Sequence, residues 1–501
     1  MNNKNTYCNP LALESIPRGK DFWYENEFGM FSHENKPESL KNTKDYRSIS
    51  DPTLFYYDNK WYLYPSYGMC WYTEDFKTWK YHKTEPYCPK YSPCIIKWKD
   101  DKFLLTSWIC PLYYSTSPLG PFIELGDFIG LDGEHFRPCD PAIFKDDDDR
   151  IYLYAFDSSI KSNKIPSGFI SRIVGYELDY NNPRQVINGP IEIMRMDPHS
   201  RTFERQGLNN QDIDFGWIEG PHMLKVNKRY YLIYACPDTC DASYVNAAFY
   251  SDESPLYGFK PQKHNPVTES RYGLIRGAGH GSIEKGPNNT LYCAYTIAAP
   301  HYHMYERRIG LDLIDINEDG ELYAPKGITS TPQFIPGLVK DPVHNKNDLG
   351  YLNLTEGMRV YASSEIDGHD ALYATDSSPI TYYLPKDDDN NPWIECKFNR
   401  PFIVGALRLW FREANLDYSK GITPRPIKYI LEGSKNGIDY FTLFDNSNNL
   451  KDMNIDYQTF NEEEVKVVRL RIIKDYQPLK IGLIDFSIFG KAKRTTKENE
   501  P

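Results

Sequence analysis

The chain predicts an all-β fold, a five-bladed β-propeller followed by a β-sandwich, and three observations carry that prediction. Short runs rich in Tyr, Ile, Phe and Val recur between Asp, Asn, Gly and Lys turns, with no sustained helical periodicity. Five of the runs share one plan: a small polar opening, an apolar strand, a polar turn, and a second strand ending in Tyr or Leu. The openings at positions 51, 92, 140, 219 and 280 lie 41, 48, 79 and 61 residues apart, close to the ~40–50 residues of one four-stranded blade.

The first repeat runs Asp51-Pro52-Thr53-Leu54-Phe55, turns at Asp58-Asn59-Lys60 and returns as Trp61-Tyr62-Leu63-Tyr64. The second opens at Ser92-Pro93, turns at Asp100-Asp101-Lys102 and returns through Phe103-Leu104-Leu105. The third opens at Asp140-Pro141-Ala142-Ile143-Phe144, turns within 146–150 and returns as Ile151-Tyr152-Leu153-Tyr154. The fourth opens at Glu219-Gly220-Pro221-His222 and returns through Tyr230-Tyr231-Leu232. The fifth opens at Gly279-His280-Gly281-Ser282-Ile283 and returns through Leu291-Tyr292. A second echo links Tyr114-Ser115 through Pro118-Leu119-Gly120-Pro121-Phe122 to Tyr250-Ser251 through Pro255-Leu256-Tyr257-Gly258-Phe259, as third-to-fourth strand connections would. The surplus length over 158–214 is assigned to the outer strands of the third blade and to long loops on one face, where binding sites are built. Past Tyr323 the pattern becomes Pro- and Asp-containing coil, then alternating strands suited to half-buried antiparallel sheets. The expected domains are therefore a propeller over 1–325, a packed linker over 326–350, a jelly-roll-type β-sandwich over 351–491 and a charged tail over 492–501.

Composition narrows the function. With 40 Tyr, 25 Phe and 9 Trp in 501 residues and 25% charged residues, the chain is globular. A net charge of −11 repels phosphate backbones and anionic lipid, so no nucleic acid and no membrane partner is expected. No apolar run reaches the ~18–20 residues of a bilayer span, and residues 1–21 lack a signal-peptide core. The expected location is cytoplasmic as written, or secreted if a leader has been removed. The 10 cysteines are scattered, with one C-x3-C at Cys236 and Cys240, which fits buried thiols better than a zinc ribbon. No oligomeric state is read from the sequence.

In a propeller the inner strands converge on the axis, so the openings should place Asp51, Ser92, Asp140, Glu219 and His280 around one cavity. Three carboxylates from distant positions would repel one another there, and a fold that keeps them has a use for them. Glycosidic hydrolysis needs a protonated carboxylic acid beside the leaving oxygen and an ionised carboxylate to activate water; a third carboxylate can raise the pKa of the acid. Taken singly, Asp-Pro and Gly-Pro are ordinary turn chemistry; the constellation changes the reading. Asp58, Asp100, Asp101 and the run 146–149 fall at the opposite ends of the strands and read as solvated turns. Trp108, Phe136 and Trp217 are candidates for an apolar wall against the sugar ring, with core packing as the alternative for each. Cys139 abuts Asp140 but has no visible base, so it is not read as a nucleophile.

The motifs at Asp51-Pro52, at Asp140-Pro141-Ala142-Ile143-Phe144 and at Glu219-Gly220-Pro221-His222, followed in order by Gly279-His280-Gly281-Ser282, resemble glycoside hydrolase family 43 over about residues 45–325. The resemblance implies an inverting mechanism with Asp51 as general base, Glu219 as general acid and Asp140 as pKa modulator and orienter of Glu219. It implies an exo-acting α-L-arabinofuranosidase or β-xylosidase on plant-derived oligosaccharide or polysaccharide. It also implies no required cofactor, while allowing a structural calcium ion at the propeller axis with His280 as candidate metal ligand. Of Arg307 and Arg308, the second is taken as the sugar-facing arginine, with a salt bridge as the alternative. A retaining fructosidase on a related propeller, or a non-catalytic sugar-binding propeller, are the competing functions; Glu219-Gly220-Pro221 and the retention of all three carboxylates speak against them. Residues 352–490 resemble the discoidin-like, coagulation-factor C-type fold through Asn353-Leu354-Thr355, Pro392-Trp393-Ile394-Glu395, Glu432-Gly433-Ser434, Val468-Arg469-Leu470-Arg471 and Phe489-Gly490. That domain is expected to brace the propeller, because its Trp393 and Trp410 read as core.

Overall fold

The computed structural model describes residues 3–14, 48–66, 69–85, 91–162, 168–299, 306–417 and 420–493. Most of the predicted tail lies outside these. Five four-stranded antiparallel sheets follow one another in the chain, each built from consecutive strands. Blade I spans Thr53–Tyr57, Lys60–Tyr64, Met69–Thr73 and Lys80–Lys83, and blade II spans Cys94–Lys97, Phe103–Thr106, Leu112–Ser115 and Ile123–Gly126. Blade III comprises Cys139–Lys145, Ile151–Lys161, Phe169–Leu178 and Val186–Arg195. Blade IV comprises Glu219–Val226, Arg229–Cys236, Val245–Ser251 and Lys260–Pro261, and blade V comprises Gly279–Lys285, Leu291–Ala298, Arg307–Ile316 and Leu322–Tyr323.

The local chemistry explains the strands. In blade I, Asp58 and Asn59 both take positive φ (50° and 58°) in the two-residue loop between paired Tyr57 and Lys60. That is the left-handed pair a hairpin turn needs, and Asp and Asn tolerate it. One apolar residue per inner strand, at Leu54, Ile95, Ile143, Met223 and Ile283, is buried between neighbouring blades. At roughly 1.5–3 kcal/mol for each fully buried side chain, this ring of contacts is a main source of propeller stability. The surplus length of blade III becomes strands of 10–11 residues followed by two short 3-10 turns at Thr202–Glu204 and Leu208–Asn210.

Because each blade is made of consecutive strands, the ring closes by packing. Tyr7, Leu11 and Leu13 wedge between Trp61 and Trp71 of blade I and Ile309 and Leu311 of blade V, and the Leu11 N–H donates to the Ile309 carbonyl at 2.9 Å. The turn residue Asp146, expected to be solvated, is instead buried: it accepts from Tyr230 Oη at 2.7 Å and from Lys225 Nζ at 2.5 Å, tying blade III to blade IV.

The C-terminal β-sandwich is threaded by two long strands, Trp393–Glu413 and Ile455–Ile473, which pair with each other. Bulges between Lys397 and Phe402 and between Val404 and Ala406 bend them over a single core of Ile394, Leu407, Tyr429, Leu470, Phe486 and their neighbours. Within residues 326–350, Gln333–Phe334 pairs with Thr6–Tyr7, and Phe334 and Val339 are buried. The two large domains share buried clusters, one of them joining Leu274 and Ala299 of the propeller to Trp410, Ile455 and Ile484.

Candidate active site

One residue in each blade turns into left-handed backbone at the start of the inner strand: Asp51 (φ 51°), Ser92 (46°), Asp140 (43°), Gly220 (54°) and His280 (37°). Such a conformation is strained for residues with a Cβ and collects at functional sites. It aims the side chains of Asp51, Ser92, Asp140 and His280 at the axis. The fivefold position in blade IV is Gly220, so Glu219 stands one residue earlier than its sequence alignment implied. The strand register agrees, since bulges fall at Cys139/Ala142, Glu219/His222 and Gly279/Ser282. The prolines Pro141 and Pro221 already carried this register. Glycine is required at 220 twice over, by its positive φ and because a Cβ would lie 2.8 Å from the His280 ring.

The five strands enclose a narrow channel lined by Asp51, Ser92, Ala142, His222, His280 and Ser282 among others. Asp51 is buried, and its Oδ2 accepts from Ser50 Oγ at 2.8 Å and Ser66 Oγ at 2.7 Å. Its own N–H donates to Thr296 Oγ1 at 2.8 Å. Oδ1 lies 3.4 Å from His280 Nδ1 and 3.6 Å from Arg307 Nη1. Burial alone would raise this carboxyl, but Arg307, His280 and the two serines outweigh it and hold the group below its ordinary value.

Asp140 and Glu219 go the other way. Burial raises Asp140, reinforced by the charge of Asp51 and opposed by His280, the Gly220 N–H and the Ser92 hydroxyl. Ser92 Oγ also lies 2.8 Å from His280 Nε2. Burial and then Asp140 push Glu219 up to about 7. Glu219 is held at both oxygens: Tyr244 Oη donates to Oε1 at 2.6 Å and Trp217 Nε1 to Oε2 at 2.8 Å. The Tyr244 ring occupies the space a side chain at Gly279 would need, 2.4 Å from an added Cβ.

The remaining predicted residues divide. Trp217 packs against Phe156 and Phe169 while holding Glu219. Trp108 stands edge-on to Tyr91 and hydrogen-bonds Cys139, the residue before Asp140. The Cys139 thiol is pushed up to about 11, chiefly by burial, which leaves it no thiolate to attack with. Phe136 is not at the axis: it belongs to a small hairpin with Phe128 and packs at a tilt against Tyr176 between blades II and III. Arg308 is not at the axis either. Adjacent strand residues face opposite ways, so Arg307 meets Asp51 while Arg308 is buried against the C-terminal domain, donating to Asn454 Oδ1 at 2.7 Å and Glu306 Oε1 at 2.6 Å. Ser50, Ser66, Tyr244, Thr296 and Arg307 are the site residues that the strand-opening pattern did not single out.

A calcium ion takes six to eight oxygen ligands. Both ring nitrogens of His280 face protein partners, and among the described residues no three His, Cys, Asp or Glu side chains at the axis bring ligand atoms together. The axial side chains therefore do not form a protein-built calcium cage.

A propeller that gathers three carboxyls at its axis holds the groups glycosidic hydrolysis needs. The chain belongs to glycosyl hydrolases family 43, which it matches over residues 30–322, more than half its length. No curated relative matches it. Among solved structures it is similar to a thermostable family-43 glycoside hydrolase, with 22% identity over 66% of this chain and 99% of that one and a TM-score of 0.49. It is similar also to a xylan β-1,4-xylosidase from Bacillus halodurans, with 14% identity over 89% and 98% and a TM-score of 0.47. An α-L-arabinofuranosidase from Clostridium thermocellum shares 20% identity over 56% and 94%, with a TM-score of 0.38. At these values the likeness selects no sugar.

Proposed function

We propose that the protein is an inverting exo-glycosidase that removes α-L-arabinofuranosyl or β-D-xylosyl units from plant-derived oligosaccharides. The observation that carries the role assignment is the opposed ionisation of two axial carboxyls, Asp51 held low and Glu219 pushed up to about 7. A pair of carboxyls driven apart by environment divides into base and acid. Asp51 Oδ2 is committed to two serines, so Oδ1 takes the proton of the attacking water. The water oxygen bonds to the anomeric carbon, the glycosidic bond breaks, and Glu219 gives its proton to the leaving oxygen. Asp140, whose charge raises Glu219, modulates the acid. Solvent exchange then returns the proton from Asp51 to Glu219.

A panel of aryl glycosides, led by the α-L-arabinofuranoside and β-D-xylopyranoside, tests the sugar, and NMR of the first-formed anomer tests inversion. A retained anomer would give Asp51 a nucleophile's role. The acid is tested separately. Glu219→Ala should lose about 10²–10⁴-fold on natural oligosaccharides and far less on an activated aryl glycoside, whose leaving group needs little protonation. Equal losses on both would remove Glu219 as the acid.

A further inference from the structure

The catalytic propeller contributes only part of the support of its own base. Arg307 and Arg308 open the third strand of blade V and point to different domains. Arg307 is buried, reaches Asp51 Oδ1 at 3.6 Å, and donates to Thr239 Oγ1 at 2.9 Å. Its carbonyl is a junction: it accepts the Ile49 N–H at 3.2 Å, two residues before Asp51, and the Arg308 Nη1 at 2.7 Å. The other end of the Arg308 guanidinium belongs to the C-terminal domain. Nε and Nη2 both donate to Asn454 Oδ1, at 3.2 and 2.7 Å, and the group lies 5.6 Å from the Trp410 ring centroid. Asn454 is fixed in turn. Its Nδ2 donates to the Phe411 carbonyl at 3.0 Å, and its carbonyl accepts the Phe411 N–H at 2.9 Å. Glu306, Arg308, Trp410 and Asn454 are all essentially inaccessible to solvent.

We infer that Asn454 and Trp410 are positioning residues for Asp51, acting through Arg308 and the Arg307 peptide. The inference rests on the function proposed for Asp51. A rigid planar guanidinium clamped at both ends transmits position in a way a flexible ammonium cannot. The peptide it clamps carries the cation beside the base and binds the segment leading into it. The C-terminal domain is then part of the catalytic geometry, not a tethered appendage.

The test uses the full-length chain and whichever aryl glycoside it hydrolyses. Asn454→Ala should lower kcat/KM on the order of ten- to a hundred-fold, as small misplacements of catalytic groups do. A merely structural defect would leave the acidic limb of the pH profile in place. Asp51 faces the Arg307 cation and the His280 ring, with Asp140 and Tyr244 as the acidic groups nearby, and slackening Arg307 lifts its pKa. The acidic limb of kcat/KM should therefore move to higher pH. Arg308→Lys keeps the charge and most of the volume, so it serves if Asn454→Ala does not fold, and it should give the same shift. In an Arg307→Lys background, Asn454→Ala should add little, because the two act in series. An unshifted limb, or an undiminished effect in that background, overturns the inference. The two readings fail separately: an unmutated protein inactive on every glycoside overturns the proposed function, whereas an active one with an unshifted Asn454→Ala overturns only the positioning.

Discussion

Two buried clusters of charge, one at the seam between the domains and one at the propeller axis, are built on opposite rules. At the seam between the domains, Arg408 and Asp485 pair one to one: Nε donates to Oδ2 at 2.8 Å, Ser487 Oγ donates to both carboxylate oxygens, and Arg408 Nη1 donates to the carbonyls of Asn9 at 2.6 Å and Ser330 at 2.7 Å. At the axis, Asp51, Asp140 and Glu219 share one histidine and one arginine, and two of the three are pushed towards the neutral form. A buried ion pair with every donor and acceptor matched holds two elements in register. A cluster with more carboxylates than cations is left ready to exchange protons. On the proposed function, buried charge exchanges protons only where it is left unbalanced, while matched pairs hold elements in place.

The largest effect that sharpens this contrast is at the axis. Asp51→Asn keeps the shape of the side chain and removes the base, so hydrolysis of both natural and aryl substrates should fall by about 10³–10⁴-fold. The thermal midpoint should fall somewhat at neutral pH, since a carboxyl held below its ordinary value stabilises the fold when ionised and Arg307 loses its counter-charge. A lowered midpoint with activity largely kept would mean that Asp51 is a structural member of the strand opening.

The seam should respond in the inverse sense. Arg408→Ala strands Asp485 without its cation and should cost about 3–5 kcal/mol of stability, while kcat/KM well below the unfolding transition stays near that of the parent. The paired replacement Arg408→Met/Asp485→Leu should lose less than the single one, because no buried charge is left alone. Thermal melts with activity assays at low temperature measure both. Loss of activity without loss of stability in Arg408→Ala would place this pair, like Arg308, in the support of the axis rather than in the fold alone.

The same contrast explains how far the sequence could be read. The repeat of polar opening, strand, turn and strand is local, and it located all five blades and four of the five axial residues. It located Glu219 as well, but not its offset from the fivefold position, which shows only when Gly220-Pro221 is aligned on Asp140-Pro141. What it missed is non-local. Tyr244 reaches Glu219 from just before the third strand of the same blade, and Thr296 reaches Asp51 across 245 residues; neither spacing leaves a pattern. The choice between Arg307 and Arg308 depended on which face of one strand meets the axis, and a two-residue motif does not state its own parity. Phe136 was placed at a strand end by its neighbourhood, yet its partner Phe128 is in a hairpin outside the blades. The role of residues 3–14, which wedge the ring closed and meet the C-terminal sheet through Asn3 and Asn9, depends on a fold already complete.

The smallest expected effect separates two carboxyls that burial drives to the same place. Asp312, like Glu219, is pushed up to about 7, chiefly by burial. It lies away from the axis, bonded by Tyr295 Oη at 2.6 Å, by Thr329 Oγ1 at 2.5 Å and by Asn9 Nδ2 at 3.1 Å. Between its unfolded value near 4 and its folded value near 7, the native state holds a proton that the unfolded chain has released. Stability must then fall as pH rises through that window. Asp312→Asn mimics the protonated form, and Thr329 Oγ1 can turn to accept from the new amide, so the variant should fold and its stability should fall less steeply between pH 4 and 7. Its activity profile should keep the parent's basic limb. Glu219→Gln should do the reverse for activity, removing the limb near pH 7 that reports loss of the acid's proton. Melting curves and kcat/KM from pH 4 to 9 on the three proteins decide it. A basic limb that moves in Asp312→Asn would show that Asp312 and the axis titrate as one network, and the separation drawn between them would fail.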